Sequence, residues 1–181
     1  MEFLETDFDG VFLIKPKVFN DTRGFFLESF SRKKFEDAGI SCDFVQDNHS
    51  RSTQKGVVRG LHFQKPPTAQ SKLVRVTRGA VWDVIVDLRK KSPTFGQWRG
   101  FELSERNFHL LFVPAGFAHG FCTLEPDSEM QYKVDSLYSP EHDAGIIWND
   151  PELSISWPVE EPILSDKDSK LPRLENIDSP F

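Results

Sequence analysis

Lys72 has a position in the sequence that suggests chemistry. The segment Ser71–Gly79 alternates as a β-strand does, so if Val74 and Val76 face the interior, Lys72 does as well. Burying an unpaired ammonium group is costly, and an inward-facing lysine is therefore rarely structural. Beside a carbonyl substrate, such a lysine would stabilise the negative charge that develops on the oxygen.

The protein has only 2 tyrosines, Tyr132 and Tyr138, and both fall in one short segment. Tyr132 could be a core residue whose hydroxyl is satisfied by a hydrogen bond. It could instead be a proton donor, with Tyr138 as a stacking surface. The segment by itself leaves both interpretations open.

Arg59 and His62 lie on one β-type run at positions of opposite parity. A regular strand would point them to opposite faces, unless Gly60 marks a bulge that re-aims one of them. The alternative is an exposed arginine and a core histidine with satisfied hydrogen bonds.

The segment Pro114–Phe121 has the P-x-G-x-x-H spacing of the second cupin motif, with His119 as its histidine. In many cupins this histidine binds a metal, together with an earlier H-x-H pair and a glutamate seven residues before a glycine. Here Lys72 occupies the glutamate position relative to Gly79, and His62 has no H-x-H neighbour. A cation at a carboxylate ligand position argues against a divalent metal, so we predict a barrel without a metal site.

Composition limits the class of protein. The chain has 181 residues, of which 38% are hydrophobic and 13% aromatic, so we expect one domain over residues 1–181 with a sizeable core. A formal net charge of -6 disfavours nucleic acid as a partner but permits a small anionic ligand. Cys42 and Cys122 lack metal-site or redox spacing. Because neither a signal peptide nor a membrane-length apolar segment is visible, we expect a soluble cytoplasmic protein without a membrane partner.

Short β-type runs separated by Gly and Pro dominate the sequence, which is typical of a sandwich, jelly roll or barrel. One short helix is predicted over Ser31–Ala38, with Gly39 as its stop, and turns with short helices are predicted in the C-terminal third. The fold class is therefore all-β. The predicted strands are Val11–Lys15, Phe25–Phe30, Phe44–Asn48, Val57–Phe63, Lys72–Thr77, Ala80–Leu88, Trp98–Leu103, Leu110–Pro114, Ala118–Leu124 and Met130–Leu137.

The run Ala80–Leu88 shows the clearest alternation. Its even-numbered positions are apolar, whereas Val81, Asp83, Ile85 and Asp87 form a mixed face. A carboxylate at Asp83 would be costly if it were buried without a partner. This face must therefore meet water or line a polar cavity, as small β-barrels often enclose.

Several segments spread over the chain fit one family pattern in register. They are Pro16–Phe19, Asp21–Glu28, Phe44–Ser50, Arg59–Gln64, Lys72–Arg75, Pro114–Phe121, Tyr132–Lys133, Ile147–Pro151 and Ser165–Asp168. With them the sequence resembles the dTDP-4-dehydrorhamnose 3,5-epimerase family over essentially its whole length. The resemblance implies a cupin-type jelly-roll β-barrel with a few short peripheral helices, and no cofactor.

The resemblance also implies residue roles. His62 would be the catalytic base with Asp168 as its carboxylate partner, Tyr132 the acid on the opposite face of the sugar, and Lys72 a cation near O4. The implied substrate is a dTDP-linked 4-keto-6-deoxyhexose, and Tyr138 would stack on its thymine. The implied substrate-binding residues are Arg23, Phe26, Glu28, Gln46, Asp47, Asn48, Arg59, His119, Tyr138, Asp143 and Lys167.

The resemblance also implies a homodimer in which an N-terminal strand crosses to the partner. Arg23, Phe26 and Glu28 would then complete the neighbouring site rather than their own. Asp143 departs from the pattern modestly, since relatives often carry glutamate there.

The chemistry explains why these residue types are needed. A 4-keto group acidifies the hydrogens at C3 and C5, so that a base, an acid on the other face and a cation at the oxygen suffice for inversion. Two alternatives stay open: an epimerase acting at C3 or C5 alone, and a non-catalytic cupin that binds sugar nucleotides. A metal-dependent dioxygenase is disfavoured by Lys72, and a 3,4-ketoisomerase by Tyr132.

Overall fold

A computed structural model describes all of residues 1–181 and contains three antiparallel sheets. The strands are β1 (Glu2–Glu5), β2 (Phe12–Lys15), β3 (Val18–Asp21), β4 (Gly24–Leu27), β5 (Gln46–Ser52), β6 (Val58–Gln64), β7 (Lys72–Arg78), β8 (Ala80–Asp87), β9 (Trp98–Ser104), β10 (Leu110–Val113), β11 (Phe117–Thr123), β12 (Ser128–Val134) and β13 (Asp143–Gly145). A six-stranded sheet has the order β1-β2-β10-β7-β12-β5, and a five-stranded sheet has the order β13-β6-β11-β8-β9. The hairpin of β3 and β4 stands apart from both. This arrangement confirms the predicted all-β jelly roll.

The inner faces of the two large sheets form a shared apolar core. Val74 and Val76 of β7 pack there with Val81 and Ile85 of β8, all nearly fully buried. Strand parity therefore turns Lys72 inward on β7 as predicted. Burying this apolar surface stabilises the fold by roughly 25 cal/mol per Å².

The outer face of the five-stranded sheet is covered by the C-terminal part of the chain. Phe63, Val84 and Val86 pack there with Leu153 and Leu174. This packing carries the chain back over β6, where a short 3₁₀ helix (Asp168–Lys170) contacts the strand. A second 3₁₀ helix spans Leu174–Asn176. The C-terminal turns and short helices expected from the prolines are confirmed.

The outer face of the six-stranded sheet is partly covered by the helix α1 (Arg32–Asp37). Phe35 of α1 packs in a buried cluster with Leu73 and Leu110. The helix lies within the predicted range, and Gly39, which has a φ of +82°, follows its end as predicted. No helix in the structure has both the length and the apolarity required to cross a membrane.

A bulge at Gly60 changes the register between β6 and β11. His119 pairs with His62, but Phe121, two positions on, pairs with Arg59, three positions back along β6. Gly60 has a φ of +118°, and a Cβ on it would lie 2.6 Å from the Gly120 Cα. Of the two possibilities that the sequence left open, the structure has the bulge, and Arg59 and His62 both reach the same cavity.

Some strands differ from the sequence prediction for physical reasons. β5 begins and ends later than predicted, since its inward residues from Gln46 to Ser52 are polar and give no hydrophobic alternation. β1, β3 and β13 were not predicted. They have only three or four residues each, and β13 (Asp143–Gly145) contains no large apolar side chain.

We expect Gly60→Ala to destabilise the protein by about 2–6 kcal/mol, because backbone strain of about 1–3 kcal/mol adds to an overpacking cost of about 1–3 kcal/mol. Gly39→Ala is the matched control: its φ is also positive, but nothing lies within 4 Å of its added Cβ. Only about 1–2 kcal/mol should then be lost. Urea unfolding of both variants checks this, and equal losses would contradict the close approach of β6 and β11.

Candidate active site

A cavity of about 510 Å³ lies between the inner faces of the two large sheets. A second cavity of about 270 Å³ adjoins it and shares some of its lining residues, namely His62, Lys72, Tyr132 and Lys167. The two cavities therefore form one elongated site. Residues that line only the first include Arg59, His119 and Asp168, and those that line only the second include Gln46, Asn48, Tyr138 and Asp143.

His62 forms a dyad with Asp168. The His62 Nε2 lies 2.6 Å from Asp168 Oδ1, and Asp168 N–H donates to Ser165 Oγ at 3.0 Å. Burial alone would raise the pKa of Asp168, but hydrogen bonds with His62, Ser165 and the Gly60 backbone hold that pKa below its usual value. An ionised Asp168 fixes the proton on Nε2 and leaves the Nδ1 lone pair of His62 to act as a base.

Tyr132 faces the dyad from the other sheet. It lies on β12 opposite Val74 of β7 and Asn48 of β5, whereas His62 belongs to β6 of the five-stranded sheet. Burial raises the pKa of the Tyr132 hydroxyl, so this group stays protonated at neutral pH. The His62 and Tyr132 side chains thus approach one cavity from opposite walls.

Lys72 is a buried ammonium without a direct partner. Lys72 is 9% exposed, and no carboxylate lies within ion-pair distance of its ammonium group. Burial lowers the pKa of Lys72 from 10.5 to about 8, although the carboxylates of Asp83 and Asp143 oppose this shift. Because its charge is not neutralised by a neighbouring side chain, Lys72 can interact with negative charge on a ligand.

The second cavity is organised by hydrogen bonds between its polar residues. Gln46 Nε2 donates to Asn48 Oδ1 at 2.9 Å, and the Tyr138 N–H donates to Gln46 Oε1 at 3.2 Å. The Tyr138 hydroxyl donates to Asp143 Oδ2 at 3.0 Å, and Lys167 forms an ion pair with the same oxygen. An exposed aromatic ring and a cation are thereby held side by side at the rim.

Arg59 and His119 are each oriented by a partner. Arg59 Nε donates to Ser52 Oγ at 3.1 Å, which holds its guanidinium at the cavity. His119 Nε2 lies 3.0 and 2.9 Å from the two carboxylate oxygens of Asp83. Asp83 thus has the partner that its burial required.

Four predicted substrate-binding residues lie away from the cavities. Arg23 pairs with Asp21, and Phe26 is exposed on the same hairpin. Glu28 pairs with Lys34 beside α1. Asp47 sits on the outward face of β5 and pairs with Lys133, so strand parity separates it from Gln46 and Asn48. The structure brings the other predicted site residues together.

Sequence reasoning did not assign three residues that shape the site. The sequence showed that burying the Asp83 carboxylate would require a partner but did not identify that partner. The alternation of β8 places Asp83 on the inward face, and this position could have suggested His119. Ser165 accepts from the Asp168 N–H, a role that its place three residues before Asp168 could have suggested. Ser52 had no comparable signal. No group of three or more His, Cys, Asp or Glu residues is placed to hold a metal ion.

The fold and the site together define a class of enzyme. A jelly roll that holds a carboxylate-supported histidine, an opposed tyrosine and a buried lysine in one cavity is built for acid–base isomerisation.

The family model described as dTDP-4-dehydrorhamnose 3,5-epimerase matches residues 5–176, and the chain belongs to this family. It is 54% identical over 169 residues to the dTDP-4-dehydrorhamnose 3,5-epimerase of Shigella flexneri, covering 93% of each chain. The chain is therefore an epimerase, as predicted.

Two solved structures are similar over nearly the whole chain. The dTDP-4-dehydrorhamnose 3,5-epimerase of Bacillus anthracis, with TDP and PPi bound, has a TM-score of 0.94 and 57% identity and covers 96% of this chain and 99% of its own. The dTDP-6-deoxy-D-glucose-3,5-epimerase of Legionella pneumophila, in complex with dTDP-4-keto-L-rhamnose, has a TM-score of 0.93 and 47% identity. It covers 98% of this chain and 94% of its own.

We expect one lysine to titrate near pH 8 in a ¹³Cε–¹⁵Nζ NMR titration of the ligand-free protein, because burial destabilises the Lys72 ammonium. This resonance should disappear in Lys72→Met and remain in the control Lys90→Met, which removes an exposed lysine. If every lysine titrated above pH 9.5, the buried and unpaired state of Lys72 would be wrong.

Proposed function

We propose that this epimerase converts dTDP-4-dehydro-6-deoxy-D-glucose to dTDP-4-dehydro-L-rhamnose by inverting C3 and C5, a step of dTDP-L-rhamnose biosynthesis. The observation that carries the proposal is the placement of His62 and Tyr132 on opposite walls of one cavity that also holds an unpaired Lys72. Residues 1–181 would act as one epimerase domain.

The first half-reaction is proton abstraction beside the 4-keto group. His62 takes the proton from carbon, and the electron pair moves onto O4 to form an enolate. Asp168 stabilises the imidazolium that results, since its carboxylate already accepts from Nε2. Lys72 stabilises the charge on O4, and loss of one such donor typically costs on the order of 100- to 1,000-fold in rate.

The second half-reaction is protonation from the other face. Tyr132 donates its proton to the enolate carbon, which inverts the centre, and solvent then restores the protonation of both residues. A tyrosine whose pKa is raised by burial donates only to a strongly basic carbon. Because these groups supply every proton transfer, the reaction requires neither a metal ion nor a redox cofactor.

The rest of the site suits a thymidine diphosphate. Arg59 and Lys167 are cations at the cavity, and the exposed ring of Tyr138 offers a stacking surface for the base. Asp143 holds both Tyr138 and Lys167, while Gln46 and Asn48 offer amide groups. The relatives solved with TDP or with dTDP-4-keto-L-rhamnose support this assignment. A nucleotide-activated substrate also fits a cytoplasmic location.

We further propose that the functional unit is a homodimer in which the hairpin of β3 and β4 reaches the site of a second copy. This hairpin is not hydrogen-bonded to either large sheet, and it exposes Phe19, Phe25 and Phe26 at 52%, 57% and 69%. Exposed phenylalanines in one patch are typical of an interface. Arg23 and Phe26 would then contact the neighbouring substrate, with Glu28 at the base of the hairpin.

We expect incubation of dTDP-4-keto-6-deoxyglucose with the enzyme in D₂O to place deuterium at both C3 and C5, as followed by proton NMR. His62→Ala should reduce exchange at both carbons by about 100- to 10,000-fold, because it removes the general base. Tyr132→Phe should lower kcat more than it raises KM. Exchange at one carbon alone would indicate a single-centre epimerase, and binding without any exchange would refute the catalytic proposal.

Mixing two inactive variants tests the exchange of hairpins. Arg23→Ala and His62→Ala should each be impaired, but dimers formed from both chains would contain one site with an intact Arg23 and an intact His62. Random assembly would then restore about a quarter of the wild-type activity. Mixing Lys72→Met with His62→Ala is the control and should restore nothing, because both changes lie in the same cavity of one chain. Failure of the Arg23 mixture to recover would place Arg23 at its own site.

A further inference from the structure

Asp83 is a fully buried carboxylate that the proposed mechanism does not use. It lies on β8 with no exposed surface, and both of its oxygens are within 3.0 Å of His119 Nε2. His119 lines the cavity, whereas Asp83 lies behind it. The imidazole is therefore held between the cavity and a buried negative charge.

The surroundings of Asp83 are otherwise apolar. Val81 and Ile85 flank it on the same face of β8, and its cross-strand neighbours are Phe121 and Phe101. A buried carboxylate in such surroundings lowers stability unless paired charges or hydrogen bonds offset its desolvation. His119 is its hydrogen-bond partner, and replacing the pair by apolar residues would often be neutral or stabilising. Stability alone therefore gives no reason for this carboxylate.

A second cationic side chain, Lys72, lines the same cavity as His119, the residue that Asp83 holds. Among the charged groups that act on Lys72, Asp83 and Asp143 favour its protonated form, and Lys167 opposes it. His62, His119, Tyr132 and Asp168 are the other titratable groups in the first cavity beside Lys72, together with Arg51 and Arg59 at its rim. Asp143 is bound by Tyr138 and Lys167, whereas Asp83 is hydrogen-bonded only by the side chain of His119.

We propose that Asp83 is a positioning residue for the epimerisation, which orients His119 towards the cavity and supplies the buried negative charge that keeps Lys72 an ammonium. The inference rests on the proposed function only for its catalytic consequence. Its physical content, a fixed His119 tautomer and a charged Lys72, concerns the free protein.

Two consequences follow for the site. With the Nε2 proton directed at Asp83, the Nδ1 lone pair of His119 can accept a hydrogen bond, for example from a sugar hydroxyl. Meanwhile Lys72 remains protonated at neutral pH and can stabilise the enolate. Without Asp83, burial would lower the pKa of Lys72 further. Lys72 would then lose its proton at a lower pH than in the wild-type protein.

The test compares Asp83→Asn with Asp87→Asn. Both residues lie on the same face of β8 and are fully buried, and both substitutions remove one negative charge. Asp87, however, is bound by Arg89, Ser92 and Thr94. Asp87→Asn should lower thermal stability without moving the titration of Lys72.

In Asp83→Asn we expect the NMR midpoint of Lys72 to fall, since a negative charge that favours the protonated lysine has been removed. The alkaline limb of the pH profile of kcat/KM for epimerisation should shift to lower pH together with this midpoint. An unchanged midpoint would overturn the electrostatic role of Asp83. A shifted midpoint in a protein that does not epimerise the nucleotide sugar would instead refute the proposed function and leave this inference standing.

A measurement on the wild-type protein keeps the proposal testable if Asp83→Asn fails to fold. In ¹⁵N NMR of the imidazole at a pH above its titration, His119 should carry its proton on Nε2. A His119 protonated on Nδ1 alone would show that Asp83 does not hold the ring, and the proposed positioning role would be wrong.

Discussion

Two strands approach each other unusually closely where Gly60 of β6 meets Gly120 of β11, and the active site depends on that approach. Neither glycine has space for a Cβ atom. A Cβ on Gly60 would collide with the Gly120 backbone, and a Cβ on Gly120 would lie 2.8 Å from the Arg59 carbonyl oxygen. The bulge that this contact permits places Arg59 and His62 at one cavity, which a regular strand would not do. The Gly60 backbone also hydrogen-bonds with Asp168, so the same feature positions both members of the dyad.

A second constraint is the desolvation free energy of charged groups that lie between two sheets. Three buried carboxylates offset this cost by pairing: Asp168 with His62, Asp83 with His119, and Asp87 with Arg89. The Lys72 ammonium and the Tyr132 hydroxyl are different, because neither is paired with another side chain and both line the cavity. Paired groups thus fix the geometry, while unpaired groups remain available to the substrate.

Sequence patterns predicted the fold where apolar residues alternate and failed where the cavity replaces the core. β8 was predicted to within one residue because its outward face is entirely apolar. β5 was misplaced because its inward side chains are the polar lining of the site. The inward position of Lys72 followed from parity alone. The partners of His119 and Asp168 could be suggested but not established, since contacts between residues 36 and 106 positions apart depend on strand order and on the path of the C-terminal segment.

In the proposed function, the distribution of cations would let a chain with a net charge of -6 bind a diphosphate with some of its cations and use another in catalysis. Arg59 and Lys167 are tethered by Ser52 and Asp143, which suits groups that hold substrate and transition state alike. Such uniform binding lowers KM without raising kcat. Lys72 differs because its ammonium is buried, unpaired and close to losing its proton. In the proposed reaction, its interaction would strengthen as charge develops on O4, so that it would favour the enolate over the ketone. The burial that makes Lys72 costly to the fold is therefore the property that would make it useful in the proposed reaction.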